Sequence, residues 1–274
     1  MVARGHKLTF LGTGASCGVP SFYCGCKACD EALVEPRAAR ACSGILISGE
    51  QRTLIDAPPE LRTQLIREQV DGIDQALFTH EHFDHLGGLP QLEFYVRIRT
   101  RSPLPVYSGA RTLATINQQY GFMVDTLELH PLKAFETVCF DGVSYTALPA
   151  AHCEDSFGFL IESGQVASSQ SARPSRTAYF PDTGPLAAAT MERLQDLDTL
   201  IIDATFSGVN WMPSKHHSID EAIALARQLG PRQTYLTHLA MHFDTPITLE
   251  ELERKLAECE ENVKVAHDGL SIIL

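Results

Sequence analysis

The sequence predicts an α/β protein in which sheets and helices stack as layers. Three observations carry that expectation. Short β-like runs alternate with amphipathic helical patterns along the 274 residues. No internal repeat, heptad seam or long linker interrupts the alternation. The residues best suited to metal chemistry fall repeatedly just past the end of a β-like run.

Taken in order, the β-like runs are 8–11, 44–47, 53–56, 76–79 and 105–107, then 143–148, 157–161, 177–180, 200–202 and 234–237. Helical patterns lie between some of them. One covers 59–69 and opens on a proline, which suits a first turn; others cover 111–120 and 185–197. Ser218 caps 219–229, which Gly230-Pro231 ends. Thr248 and Glu251 have the spacing of a capping box opening a last helix. The serine-rich stretch 165–176 reads as a loop or hairpin tip and is given no chemistry.

Composition narrows the class. Lys and Arg number 22 against 34 Asp and Glu, a formal charge of −12. That balance argues against tight, unspecific binding to nucleic acid or an anionic membrane. No apolar stretch approaches the ~20 residues of a membrane span. The start, Met1 to Lys7, lacks the apolar core of a signal peptide, so a soluble cytoplasmic protein is expected. Of eight cysteines, three crowd into Cys24-Gly25-Cys26-Lys27-Ala28-Cys29. That spacing favours metal ligation in a reducing compartment over disulfides.

The densest chemical signal is Thr79-His80-Glu81-His82-Phe83-Asp84-His85. It follows the apolar run 75–78, so it sits where a buried strand opens into a loop. Imidazole and carboxylate together suit zinc, manganese or iron. A tight turn can aim His80 and His82 at one ion and Asp84 and His85 at another. Further donors recur at strand ends: His152, Asp182 in Phe180-Pro181-Asp182, and His238 after Leu236-Thr237.

HxHxDH followed in order by His, Asp and His resembles the metallo-β-lactamase-fold hydrolases, over nearly the whole chain. The resemblance implies a single-domain, four-layer αββα sandwich over 1–274, with a small Cys-rich metal loop at 17–42. It implies two catalytic divalent metals, zinc or manganese. His80, His82 and His152 would hold one; Asp84, His85 and His238 would hold the other; Asp182 would bridge them. Asp56, in Leu54-Ile55-Asp56-Ala57-Pro58, matches an aspartate that orients the metal loop.

The likeness narrows at Leu11-Gly12-Thr13-Gly14-Ala15-Ser16, Gly18-Val19-Pro20 and the CxCxxC run. With Pro105-Val106-Tyr107 and His267-Asp268-Gly269-Leu270, these are similar to PhnP-type phosphodiesterases. That family implies a structural zinc on Cys24, Cys26, Cys29 and a histidine. His242 is the choice here, although it stands one residue farther past His238 than the family pattern; Cys17, Cys42 and Cys153 are substitutes. The family also implies a general acid that is not a ligand. The His-x-Ser spacing selects His216, with His217 as the alternative, beside Asp84 and Asp182 as catalytic groups.

The implied reaction is opening of 5-phospho-α-D-ribose 1,2-cyclic phosphate to ribose 1,5-bisphosphate in phosphonate metabolism. Two ions would lower the pKa of a shared water for that attack. Small phosphorylated sugars or 2′,3′-cyclic nucleotides are the expected partners, with a homodimer as the oligomeric expectation. Rival readings on the same fold are a PqqB-like or iron-dependent redox enzyme and a tRNase Z-like nuclease. Against the nuclease stand the acidic balance and the lack of a lysine- and glycine-rich arm. The 12–18 loop reads equally as a phosphate cradle or a tight turn. Arg97, Arg99 and Arg101 read as solvated surface.

Overall fold

Strands carrying apolar residues on both faces need cover on both sides, and four layers supply it. The computed structural model describes residues 5–164, 173–259 and 261–274. Six strands come first along the chain: β1 (Lys7–Gly12), β2 (Gly44–Ser48), β3 (Arg52–Ile55), β4 (Gln75–Leu77), β5 (Leu104–Ser108) and β6 (Leu127–Pro131). Then follow β7 (Thr137–Phe140), β8 (Val143–Pro149), β9 (Phe157–Ser163), β10 (Ser175–Phe180), β11 (Thr199–Asp203), β12 (Gln233–Thr237), β13 (Val263–Val265) and β14 (Ser271–Ile273). They form two seven-stranded sheets, ordered β14-β1-β2-β3-β4-β5-β6 and β13-β12-β11-β10-β9-β8-β7.

Side-chain alternation along each strand builds the sandwich. Ile45, Ile47, Ile55 and Leu77 of the first sheet meet Tyr145, Phe159, Ile161, Tyr179 and Ile201 of the second in one buried layer. Their strand neighbours Leu46, Leu54 and Ala76 face outward onto Leu61, Leu113 and Ile116. Those three belong to α2 (Leu61–Arg67) and α4 (Ala110–Gln119); α1 (Lys27–Ala32) and α3 (Phe83–Leu86) are the other early helices. On the second sheet, Leu160, Ala178, Phe180, Leu200, Ile202 and Leu236 pack against later helices. These are α5 (Ala188–Arg193), α6 (Ile219–Leu229) and α7 (Leu249–Ala257). The αββα expectation is thereby met. The Ser218 and Thr248 capping boxes both form, and no helix among the described residues is long and apolar enough to cross a membrane.

Some sequence expectations shift. The helix expected over 185–197 is cut to α5, because Asp196 turns left-handed at φ 55° and the chain folds back to bury Leu194 and Leu197. Of the expected loop 165–176, residues 165–172 lie outside the described residues, while Ser175 and Arg176 already pair in β10 with Ser163 and Glu162. The glycine loop is a tight turn. The amides of Thr13 and Gly14 both bond Ala41 O, that of Ala15 bonds Leu239 O, and that of Gly18 bonds Ala15 O. A Cβ on Gly12 would lie 2.0 Å from Cys42 O, so close backbone approach explains that glycine.

What positions the site is strand direction. Strands β3 to β6 run parallel, as do β10 to β13. Their carboxyl ends therefore open onto one edge, where side chains from different strands can converge.

Candidate metal centre

Each histidine or aspartate singled out at a strand end arrives at this edge. The β4–α3 loop carries His80, His82, Asp84 and His85; the segment after β8 carries His152. Asp182 follows β10, and His238 follows β12. They fall into two groups of four donor atoms, His80, His82, His152 and Asp182, then Asp84, His85, Asp182 and His238.

The spacing within each group can be tested against an ion. A tetrahedral ion with ligand bonds of about 2.0–2.1 Å needs donors about 3.4 Å apart. In the first group His82 Nδ1 lies 3.0 Å from both His80 Nε2 and His152 Nε2. Asp182 Oδ2 lies 3.4 Å from His80 Nε2 and 3.5 Å from His152 Nε2. In the second, Asp182 Oδ2 is 3.4 Å from both His85 Nε2 and His238 Nε2. Asp84 Oδ2 is 3.5 Å and 3.4 Å from the same two nitrogens. His85 Nε2 is buried without a hydrogen-bond partner. Lone pairs converging on one point repel one another, and a divalent cation there removes that repulsion. The residues fit two ions sharing Asp182.

The electrostatics differ between the two groups. Burial holds His80, His82 and His152 below the usual histidine range, which keeps them neutral, as ligands must be. Burial also opposes a charge on His85, but Asp84 and Asp56 outweigh it and raise that histidine well above its ordinary value. Asp182 is held well below the carboxylate range: burial would raise it, and His238 and His216 outweigh that.

Two aspartates fix the ligands from behind. Asp56, left-handed at φ 65°, accepts from Thr79 N at 2.8 Å and from His85 Nδ1 at 2.8 Å. The Thr79 hydroxyl bonds the same carboxylate and also meets His80 Nδ1 at 3.0 Å. Asp203, at the end of β11, repeats the device in the other sheet. It accepts from Thr183 N and from Thr205 N and Oγ1, and Thr205 Oγ1 meets His238 Nδ1 at 2.8 Å. The sequence reading missed Asp203. A signal existed, since Leu54-Ile55-Asp56-Ala57 and Ile201-Ile202-Asp203-Ala204 share one strand-end pattern. Asp203→Ala is expected to weaken metal binding about 10–100-fold, measured by competition with a chelating dye.

The histidine pair separates. His216 Nδ1 lies 2.8 Å from Asp182 Oδ1 and 3.0 Å from Asp203 Oδ2. Burial opposes its charge, but Asp182 and Asp203 prevail and push it up to about 10. His217 turns away: its Nδ1 bonds Thr183 O at 2.7 Å, and it lines a different cavity with Leu186, Met191 and Pro213.

A family profile described as a β-lactamase superfamily domain matches residues 51–239. The chain belongs to that superfamily. Among solved structures, this superfamily member superposes on a diphosphatase from the PhnP family with a TM-score of 0.83 and 27% identity, covering 99% of this chain and 98% of that one. Zn(2+)-bound PqqB from Methylobacterium extorquens gives a TM-score of 0.80 at 22% identity, over 98% and 100% of the two chains, a likeness of fold. By sequence, an octanoyltransferase of Porphyromonas gingivalis is 28% identical over 98% of this chain, which spans 51% of that protein's length. Ribonuclease Z of Methanosarcina acetivorans is 26% identical, with 97% of each covered. The donor set is that of a metal-dependent hydrolase.

This superfamily member carries a second cluster outside the double group. The thiols of Cys24, Cys26 and Cys29 converge, with α1 anchoring the loop through buried Ala28 and Ala32. His242 Nδ1 stands 3.3 Å from Cys29 Sγ, and its Nε2 stands 3.1 Å from Cys17 Sγ. Between His238 and His242 the backbone turns left-handed at Met241, φ 54°. Cys42 Sγ instead points to the carbonyls of Ala15 and Ser16. Cys29→Ser is expected to remove one zinc equivalent and lower the thermal midpoint, because binding such an ion is coupled to ordering its loop. Metal analysis beside thermal melts checks both.

Proposed function

We propose that this chain is a metal-dependent phosphodiesterase that opens five-membered cyclic phosphodiesters of ribose. The supporting observation is the pair of four-donor groups sharing Asp182, with His216 Nδ1 2.8 Å from that shared carboxylate. When bound, two divalent ions would lower the pKa of a shared water toward neutrality and draw charge from the phosphoryl oxygens. His80, His82 and His152 would hold one ion, Asp84, His85 and His238 the other, and Asp182 both. Cys24, Cys26, Cys29 and His242 would hold a structural zinc.

The protein's own work is orientation and proton delivery. Asp56 and Asp203 fix the imidazoles so that their free nitrogens face the centre. Water adds to phosphorus, the bond from phosphorus to one ring oxygen breaks, and that oxygen needs a proton. His216 is anchored through Nδ1 on Asp203, and Nε2 makes no hydrogen bond among the described residues; it would donate from Nε2. The PhnP-type motifs support 5-phospho-α-D-ribose 1,2-cyclic phosphate as one substrate of this class. The formal charge of −12 speaks against a nuclease that grips an RNA backbone.

The deciding experiment assays metal-analysed protein on bis(p-nitrophenyl) phosphate, ribose 1,2-cyclic phosphates and 2′,3′-cyclic nucleotides, with phosphomonoesters as controls. Opening of the cyclic diesters with monoesters inert is the expected result. Inert diesters in protein with its full metal load would end the phosphodiesterase reading.

A further inference from the structure

The chain has one tryptophan, and it stands beside the centre. Trp211 is 55% exposed. Its ring meets that of buried Phe206 edge-on at 4.9 Å, and Phe206 meets the His216 ring at 5.9 Å. Phe243 closes the group, 6.0 Å from Trp211 and 5.9 Å from Phe206. One phenyl ring therefore separates an exposed indole from the general acid.

The loop bearing Trp211 is pinned. Asn210 Nδ2 donates to His216 O and Glu221 Oε2, and Asn210 Oδ1 accepts from Met212 N. Ser207 bonds Thr245 O beside Phe243, and Lys215 O takes the Nδ1 proton of His152. The segment carrying Trp211 is thus tied toward His152 at one end and the Phe243 segment at the other, and the indole rests on Phe206 and Phe243. An aromatic face fixed in this way beside a phosphate-cleaving centre suits another flat ring system.

We propose that Trp211, backed by Phe206 and Phe243, is a stacking platform for a nucleobase, and that the site prefers nucleoside cyclic phosphodiesters to bare sugar phosphates. The inference rests on the phosphodiesterase reading, and its tests separate the two. The sole tryptophan makes binding directly visible in the metal-loaded wild type. Adenosine 3′-monophosphate is expected to quench its fluorescence saturably, while ribose 5-phosphate leaves it unchanged. No quenching by the nucleotide, or equal quenching by both, overturns the platform whether or not diesters are hydrolysed.

Kinetics supply the second arm. Trp211→Ala is expected to lower the ratio of kcat/KM for 2′,3′-cyclic AMP over ribose 1,2-cyclic phosphate by about tenfold, chiefly through KM. Trp211→Phe, which keeps a flat ring, should restore most of that ratio. A ratio unmoved by Trp211→Ala, or not rescued by phenylalanine, refutes the assignment while leaving the phosphodiesterase reading intact. If wild type hydrolyses neither diester, the phosphodiesterase reading fails and the quenching result alone decides the platform.

Discussion

Asp182→Ala is expected to drain both catalytic metal positions together and to cut diester turnover on the order of 10³-fold or more. The reason is geometric. Oδ2 of this one carboxylate stands 3.4 Å from His80, His85 and His238 and 3.5 Å from His152, so it belongs to both donor groups. Loss of His152 would open one group and leave the other whole; loss of Asp182 opens both. The damage continues into the unmetallated protein, because His85, raised by its carboxylate neighbours, would lose one of the groups that tolerate its charge. The check is metal analysis of the purified variant. Near-zero catalytic metal with the cysteine-bound equivalent retained is the expected result; two ions still bound would show that Asp182 is not shared. Asp203→Ala is the useful contrast, since it keeps the residues of the two four-donor groups that share Asp182 and removes the carboxylate that holds Thr183, Thr205 and His216.

That contrast also marks how far the sequence could be read. The candidate donors that converge at the strand ends were legible because their types are chemically narrow and each follows an apolar run. Asp203 obeys the same rule, but a lone aspartate at a strand end is common, and nothing nearby in sequence reveals that it serves Thr205, His238 and His216. The inner strands were legible from apolar residues on both faces. The edge strands β6, β7, β13 and β14 were not: β6 reads Leu-Glu-Leu-His-Pro and β7 alternates exposed and half-buried positions. β13 and β14 are three residues each. An edge strand buries little, so its pattern is diluted by the polar residues that protect it. The glycine loop was ambiguous for another reason: whether its amides are free depends on Ala41 and Leu239, which only the fold brings near.

His216→Ala is expected to separate two kinds of diester. With a poor leaving group, such as the sugar oxygen of a ribose cyclic phosphate, the departing alkoxide must be protonated, and loss of a positioned acid costs about 10²–10⁴-fold. With p-nitrophenolate, which departs without a proton, the loss should be far smaller. The structure gives a physical basis for the asymmetry. Asp182 and Asp203 push His216 up to about 10, its ring stacks on that of His238 at 5.7 Å, and its Nδ1 faces Asp182 Oδ1 rather than the Oδ2 on which the two four-donor groups converge. A merely structural histidine would, on removal, slow both substrates in parallel by disturbing Asp182. The comparison is therefore kcat/KM on bis(p-nitrophenyl) phosphate and on a ribose cyclic phosphate, with metal content matched between wild type and variant. His217→Ala serves as the internal control, because its Nδ1 is spent on Thr183 O and its ring lines a different cavity. Parallel losses in His216→Ala, or a selective loss in His217→Ala instead, would reassign the acid.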